Sequence, residues 1–446
     1  MGICWELHLT AIPVSIPEMS EPTSTPRPPF ATALPPLARR PRRFPRTLAL
    51  LAVAGLAAIP FNRARAADQK PLKVFILAGQ SNMQGHAQVR TFEAIGMDPE
   101  TAPMLQEMQL ADGTPKVCKR VWISSIGSSE EEKTGLLTAG FGAEQRGPKI
   151  GPEFTFGLYL EKLLDEPILI IKTAWGGKSL NTDFRPPSAG PYQFNETQLE
   201  TFRKQGKDIA AIKAEKAQAT GLYYRLMMEH VKKVLADIGR VVPGYNAKQG
   251  YEMAGFVWFQ GWNDMVDSGT YPHRDQPGGY DQYSTVMADF IRDVRKDLSS
   301  PGLPFVIGVI GVGGPVKNYG PEQQRYAGIH QNIRLAMAAP ASLPEFNGNV
   351  AAVLTENYWD QKLTALIARD AAIKQQVKKL LSEGKLQRAE EQKTLEKLRV
   401  EGFTTGEREM LEKGISNLEF HYLGSAKILG QIGKAFAETV AGMQRK

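Results

Sequence analysis

The sequence predicts an α/β fold, a doubly wound parallel sheet of five strands with helices on both faces. Short apolar runs rich in β-branched and aromatic residues alternate with longer segments of helical periodicity, which is typical of such sheets. Of the 446 residues, 42% are apolar and 23% are charged, as in globular proteins rather than disordered or fibrous chains. A chain of this length buries a full core without a metal ion or a disulfide.

Five apolar runs are predicted as buried strands, at residues 72–78, 167–173, 254–260, 304–310 and 350–354. Helices are predicted at residues 153–164, 199–238, 280–298, 323–337 and 422–443. Residues 361–412 are rich in Lys, Glu, Gln, Ala and Leu, with one apolar face and a break near Gly384. We therefore expect an inserted αα-hairpin there. A solvated arm packed on its own core and an arm that binds a partner both fit this composition.

Residues 1–66 have the order of an export signal. They contain eight Arg and three Glu, a net +5 of the formal +7, which leaves +2 for residues 67–446. Arginines at 39–46 precede an apolar run at 48–59 and then Ala64-Arg65-Ala66, as in a secretory signal with its cleavage site. The run is shorter than the roughly 20 residues of a membrane span. We expect cleavage near Ala66, export to the periplasm or the cell exterior, and no stable membrane anchor afterwards.

Polar residues at predicted strand and helix ends suit acyl transfer, which requires a nucleophile, an imidazole base and N–H donors for the oxyanion. Ser81 directly follows the first strand, at the sheet edge where parallel sheets bind ligands; a helix cap is the other interpretation of this serine. Asn263 follows the third strand and carries an amide suited to an oxyanion. Gly151 begins a predicted helix with free N–H groups, and His421 opens the last helix.

In this order, these segments resemble the SGNH hydrolases, and within them the sialate O-acetylesterase (SASA) domain family that includes carbohydrate esterase family 6. The resemblance covers nearly all of residues 73–443. It is carried by AGQSNM around Ser81, GPEFTFG around Gly151, IIKTAWGGKSL around Lys172, VWFQGWND around Asn263 and FHYLGSAK around His421. It implies a flavodoxin-like SGNH sandwich at residues 67–446. The implied activity is that of an exported serine esterase removing O-acetyl groups from carbohydrate, either sialic acid or an acetylated plant polysaccharide such as xylan.

The resemblance also implies roles for individual residues. Ser81 would be the nucleophile and His421 the general base. The oxyanion hole would be formed by the N–H groups of Ser81 and Gly151 and by the side-chain amide of Asn263. Four further residues in matching motifs would line the substrate site: Gln80, Lys172, Trp175 and Gln260.

One departure concerns the acid that orients His421. Family members usually carry an Asp three residues before the histidine, where this chain has Leu418. The imidazole needs an acceptor on its other nitrogen to fix its tautomer. Glu419 is the nearest carboxylate in sequence; Asp360 or Glu356, after a predicted strand end, and no carboxylate at all are the alternatives.

The sequence predicts no cofactor, no metal site and no nucleic-acid partner. His86, His230, His273 and His330 lack zinc-ligand spacing, and a charge near +2 without a basic stripe does not favour nucleic acid. Two other functions are compatible with the sequence. One is an SGNH esterase acting on non-sugar esters, and the other is a carbohydrate-binding protein that has lost catalysis.

Overall fold

The computed structural model of the protein describes residues 70–444, so the expected signal at 1–66 lies outside the described residues. The strands in the described range are β1 (Leu72–Gly79), β2 (Ala87–Gln88), β3 (Val121–Gly127), β4 (Lys133–Leu136), β5 (Lys149–Ile150), β6 (Ile168–Ala174), β7 (Tyr251–Phe259), β8 (Phe305–Val309) and β9 (Val350–Leu354). The α-helices are α1 (Ser81–Gln84), α2 (Glu93–Gly96), α3 (Ala102–Met108), α4 (Glu153–Leu163), α5 (Glu196–Lys204), α6 (Ile209–Ala219), α7 (Leu222–Ala236), α8 (Trp262–Val266), α9 (Asp281–Asp297), α10 (Ala327–Ala338), α11 (Gln361–Ser382), α12 (Glu391–Gly402), α13 (Thr405–Gly414) and α14 (Ala426–Gln444).

The central sheet has seven strands in the order β4-β3-β6-β1-β7-β8-β9. Every neighbouring pair is parallel except β3 with β4. The five predicted strands are confirmed as β1, β6, β7, β8 and β9, but the expected number of five was too small. The two extra strands, VWISSIG and KTGL, lie at one edge, where polar and partly exposed positions interrupt any apolar run.

Helices cover both faces of the sheet, as predicted. On one face, Phe259 of β7 contacts Phe436 of α14, with ring centroids 5.5 Å apart. Phe256 lies three positions earlier on the same strand and therefore points to the opposite face. There it contacts Phe290 of α9 at 5.9 Å, and Phe290 also contacts Tyr224 of α7. Both faces of β7 are thus buried under helices, which is why its sequence is an almost unbroken apolar run.

Two predicted helices differ from the structure because the backbone adopts left-handed conformations. Residues 199–238 form three helices rather than one, since Gly206 and Gly221 have φ values of 65° and 69° between them. The last helix begins at Ala426, because Tyr422 and Leu423 have φ values of 53° and 60°. These positive values end helical geometry wherever they occur.

The predicted insertion is helical, with one more helix than expected. Helices α11 and α12 pair as the hairpin, and α13 follows and leads toward His421. Leu366, Ile373 and Phe403 form a small separate core between these helices. Over residues 70–444, no helix combines the length and apolar character needed to cross a membrane.

Candidate active site

A cavity of about 540 Å³ lies at the carboxyl ends of the parallel strands. Its walls come from the segments that follow four strands and from the segment before α14. These walls include Ser81 and Gln84 after β1, Ser128 after β3, Gly176 after β6, Trp262 and Asn263 after β7, and His421. This is the edge at which parallel sheets bind ligands, and three residues predicted from separate motifs meet there.

Ser81 is the first residue of α1, immediately beyond the end of β1. The cap position before this short helix is held by Gln80, so the structure does not use the serine as a helix cap. The side chain of Ser81 is 7% exposed and lines the cavity. Its backbone N–H is at the start of a helical turn, where no carbonyl four residues earlier accepts it.

Gln80 fixes the position of Asn263. Its side-chain nitrogen donates to Oδ1 of Asn263 at 3.0 Å, and its oxygen accepts the N–H of Gly261 at 3.1 Å. The first bond occupies the oxygen of the Asn263 amide and leaves its N–H groups to the cavity that Asn263 lines. The structure therefore presents Asn263 as a donor beside Ser81, and Gln80 braces it.

His421 is held in one tautomer by Asn417. The ring nitrogen Nδ1 lies 3.0 Å from Oδ1 of Asn417, and the same Oδ1 accepts the N–H of Leu418 at 2.7 Å. Because Oδ1 is thereby an acceptor, Nδ1 of His421 carries the proton and Nε2 has the free lone pair. Burial lowers the pKa of His421 to about 4, so the ring is neutral at physiological pH and Nε2 can act as a base.

The three carboxylates considered from the sequence lie elsewhere. Glu419 is exposed on a neighbouring cavity, Asp360 pairs with Lys427 and caps α11, and Glu356 pairs with Arg334. Within residues 70–444, none of them is hydrogen-bonded to His421, and the amide of Asn417 stands at that position. The family pattern has a carboxylate before this histidine, so the sequence did not indicate Asn417 as its partner.

His86 is a second imidazole in the same cavity. Its ring is stacked on that of His421, with centroids 3.8 Å apart and planes 1° from parallel. Its Nδ1 lies 3.5 Å from Nδ2 of Asn417, so Asn417 contacts both rings. Burial, followed by the nearby charges of His421 and two lysines, lowers the pKa of His86 to about 3. A neutral ring thus supports His421, a feature that no sequence spacing indicated.

Gly151 and Lys172 form a buried network under the cavity. The N–H of Gly151 donates to Oε1 of Glu153 at 2.9 Å, and Oε2 of Glu153 pairs with Nζ of Lys172 at 2.8 Å. The ammonium of Lys172 also donates to the backbone oxygen of Gln84, in the turn after Ser81. In this structure the Gly151 N–H is therefore engaged by Glu153, and Lys172 supports the Ser81 turn from below.

The lining of this cavity does not include Lys172, Trp175 or Gln260, which were predicted to line the substrate site; all three are buried. Trp175 is 5% exposed and packs against Phe184 and Tyr223. Gln260 donates to Asp264 at 2.6 Å and accepts from Tyr283, in the buried layer below the cavity. Besides the two imidazoles, the cavity is lined by the rings of Trp262 and Phe420, which have centroids 5.8 Å apart.

Comparisons with known proteins agree with the motif analysis. Residues 71–347 match the family model described as "Carbohydrate esterase, sialic acid-specific acetylesterase", SASA, and His421 lies beyond the matched range. No match was found among curated proteins.

Solved structures similar to the chain include a protein from Arabidopsis thaliana, with 17% identity, a TM-score of 0.35, and coverage of 64% of this chain and 86% of that one. A carbohydrate acetylesterase from Xanthomonas citri is 13% identical, with a TM-score of 0.36 and coverage of 65% and 51%. NanS is 13% identical, with a TM-score of 0.33 and coverage of 66% and 79%. The family match spans more than half of the sequence, so the chain belongs to the SASA family of carbohydrate esterases, as its motifs predicted.

Proposed function

We propose that this protein is an exported serine esterase that removes O-acetyl groups from carbohydrate through an acetyl-Ser81 intermediate. The observation that carries the proposal is that Ser81, Asn263 and His421 line one cavity, with the Nδ1 of His421 held by Asn417. Export is supported by the signal-like order of residues 39–66. Family membership supports the carbohydrate ester as substrate class.

The first half of the reaction acylates the serine. Oγ of Ser81 attacks the acetyl carbonyl carbon while Nε2 of His421 accepts the hydroxyl proton. The negative charge on the tetrahedral oxygen is stabilised by the N–H of Ser81 and the amide of Asn263. The bond to the sugar oxygen then breaks, and His421 returns the proton to that leaving oxygen. In the second half, Nε2 of His421 takes a proton from a water molecule as that water attacks the acetyl carbon. The bond to Oγ of Ser81 then breaks, His421 returns the proton to Oγ, and acetate is released.

Asn417 orients the imidazole of His421, as the usual Asp would do, but it carries no charge. In a serine protease, changing the acid to its amide costs about 10⁴ in rate because the imidazole takes the wrong tautomer. Here the backbone N–H of Leu418 holds Oδ1 of Asn417 toward His421, which preserves the correct tautomer. The remaining loss in rate comes only from weaker stabilisation of the imidazolium, because the Asn417 amide carries no negative charge.

Labelling with a fluorophosphonate tests for an activated serine. We expect rapid modification of wild-type protein at Ser81, mapped by peptide mass spectrometry, together with acetate release from p-nitrophenyl acetate. Ser81→Ala removes the hydroxyl and should abolish both. Ser129→Ala is the matched control, because Ser129 lies on the same cavity wall and its loss should leave the labelling of Ser81 intact.

The same experiment distinguishes the esterase from a carbohydrate-binding protein that has lost catalysis. The replacement of the usual Asp by Leu418 is the observation that favours this second function. A folded wild-type protein that resists the fluorophosphonate and releases no acetate would overturn the esterase proposal and leave the binding protein as the second function to be measured.

A further inference from the structure

His86 lines the catalytic cavity beside His421, but the proposed reaction assigns no task to it. Its segment is joined to the segment before α14 by Ser416, whose Oγ accepts the N–H of Gln88 at 3.1 Å and lies 3.2 Å from the carbonyl oxygen of His86. The two imidazole rings are held face to face, with centroids 3.8 Å apart and planes 1° from parallel. One face of the His421 ring is therefore covered by the His86 ring.

Asn417 gives the two rings opposite hydrogen-bonding partners. Its Oδ1 accepts from Nδ1 of His421, whereas its Nδ2, which can only donate, faces Nδ1 of His86 at 3.5 Å. The neutral His86 ring therefore carries its proton on Nε2, which is buried and has no hydrogen-bond partner within residues 70–444. A second proton on His86 would direct an N–H group at the donor of Asn417. The contact thus holds His86 in its neutral form.

The charges around His86 act in the same direction. Desolvation first, and then the positive charges of His421, of Lys149 on β5 and of Lys172 on β6, lower the pKa of His86 to about 3. Both lysines act through their charge, because their ammonium groups donate to backbone carbonyls and to a carboxylate. The pKa of His421 is lowered by desolvation to about 4, so His421 is the stronger base of the two.

We propose that His86 is a positioning residue for the esterase reaction, and that its neutral ring face stabilises the imidazolium formed when His421 accepts the proton of Ser81. The inference rests on the proposed function and deepens it, because it names a group that partly replaces the charge of the usual Asp. An aromatic ring face attracts a cation within about 6 Å of its centroid, and more strongly when the pair is desolvated. His86 itself gains and loses no proton in the reaction.

Variants that keep or remove the ring face test this role. His86→Leu removes the face but stays apolar, so kcat on p-nitrophenyl acetate should fall roughly three- to tenfold with little change in KM. The acidic limb of the pH profile of kcat/KM should move down by about half to one pH unit, because the imidazolium loses a stabilising contact. His86→Phe keeps a flat ring that cannot be protonated, and should restore most of both quantities. His273→Leu, at an exposed position, is the control and should change neither.

The position of the acidic limb separates this role from a merely structural one. A folded His86→Leu protein whose kcat falls while the limb stays in place or moves up would overturn the proposal. An unchanged kcat in His86→Leu would overturn it as well.

Nitrogen NMR of the histidine rings tests the inference without substitution and without turnover. In folded wild-type protein labelled with ¹⁵N-histidine, His421 should become protonated at a higher pH than His86 as the pH is lowered from 7 to 4. The neutral His86 ring should carry its proton on Nε2. Protonation of His86 before His421, or a neutral His86 ring with its proton on Nδ1, would overturn the inference even in an active esterase. The expected order in a protein that releases no acetate would support the pairing of the rings and refute only the proposed function.

Discussion

At the scale of single residues, the pairing of His421 with an amide sets the pH range over which the base is available. Burial lowers the pKa of His421 to about 4, and Asn417 adds no charge that would raise it. The imidazole is therefore unprotonated above about pH 5, where an ordinary histidine is still largely protonated. The acidic limb of the pH profile of kcat/KM should accordingly lie well below pH 6.

Asn417→Asp tests this role. A carboxylate at 3.0 Å favours the imidazolium and raises the pKa of His421, so the acidic limb of kcat/KM should move up by about one pH unit or more. Asn347→Asp adds the same charge at an exposed, distant position and should leave the limb in place. An acidic limb that does not move in Asn417→Asp would show that Asn417 does not orient the base.

The residues that sequence reasoning identified are those with a fixed place in a motif. Ser81 and Asn263 follow predicted strand ends, and the structure brings both to one cavity with His421. Neither partner of the histidine was predicted: Asn417 lies only four residues before His421 but is an amide where a carboxylate was expected. His86 lies 331 positions before Asn417 and meets it only in the folded chain. A short-range sequence pattern carries no signal for such a contact.

At the scale of secondary-structure elements, the turn between His421 and α14 positions the histidine. Tyr422 and Leu423 have left-handed backbones, a conformation that costs about 1–3 kcal/mol in a non-glycine residue. Buried hydrogen bonds hold this turn: Tyr422 Oη accepts the N–H of Gly311 at 2.8 Å, and the carbonyl of Leu423 accepts the N–H of Asn417 at 3.0 Å. The same turn thus fixes both His421 and its partner.

The second feature at this scale is the buried ion pair between Lys172 of β6 and Glu153 of α4. Lys172→Met leaves the Glu153 charge without a partner, so we expect the free energy of unfolding to fall by about 3–5 kcal/mol. Lys172→Met/Glu153→Leu removes both charges and should recover much of that loss. Lys73→Met breaks a pair with the exposed Glu252 and should cost only about 0–1 kcal/mol. Urea denaturation measures all three, and equal losses for Lys172→Met and Lys73→Met would contradict the account.

Elements with both faces buried were predictable, and edge elements were not. The run PILIIKT became β6, in which every residue is buried, whereas β3 and β4 mix exposed and buried positions at the sheet edge. The breaks at Gly206 and Gly221 depend on backbone conformations that helical periodicity alone does not reveal.

At the scale of the whole molecule, four partly or fully buried histidines connect stability to pH. The pKa of His86 is lowered to about 3, and those of His230, His330 and His421 to about 4, in each case first by desolvation. Between about pH 6.5 and 4, the unfolded chain therefore binds more protons at these sites than the native protein. The stability that comes from keeping these rings neutral is present above pH 6.5 and is lost as the pH falls.

We accordingly expect the free energy of unfolding to decrease steadily from pH 7 to pH 4.5, before most carboxylates titrate. Urea denaturation at several pH values measures it, and His230→Gln/His330→Gln, which removes two of the four rings away from Ser81, should flatten the slope. A free energy of unfolding that is independent of pH in this range would contradict the burial of these neutral rings.

The most direct test of the central claim is acetate release by the protein from O-acetylated sialic acid, acetylated xylan and p-nitrophenyl acetate, with Ser81→Ala beside the wild type. The account predicts release by the wild type from at least one of the two carbohydrates and none above background by a folded Ser81→Ala. Undiminished release by Ser81→Ala would contradict the assignment of the nucleophile. Release from p-nitrophenyl acetate alone would contradict the carbohydrate substrate.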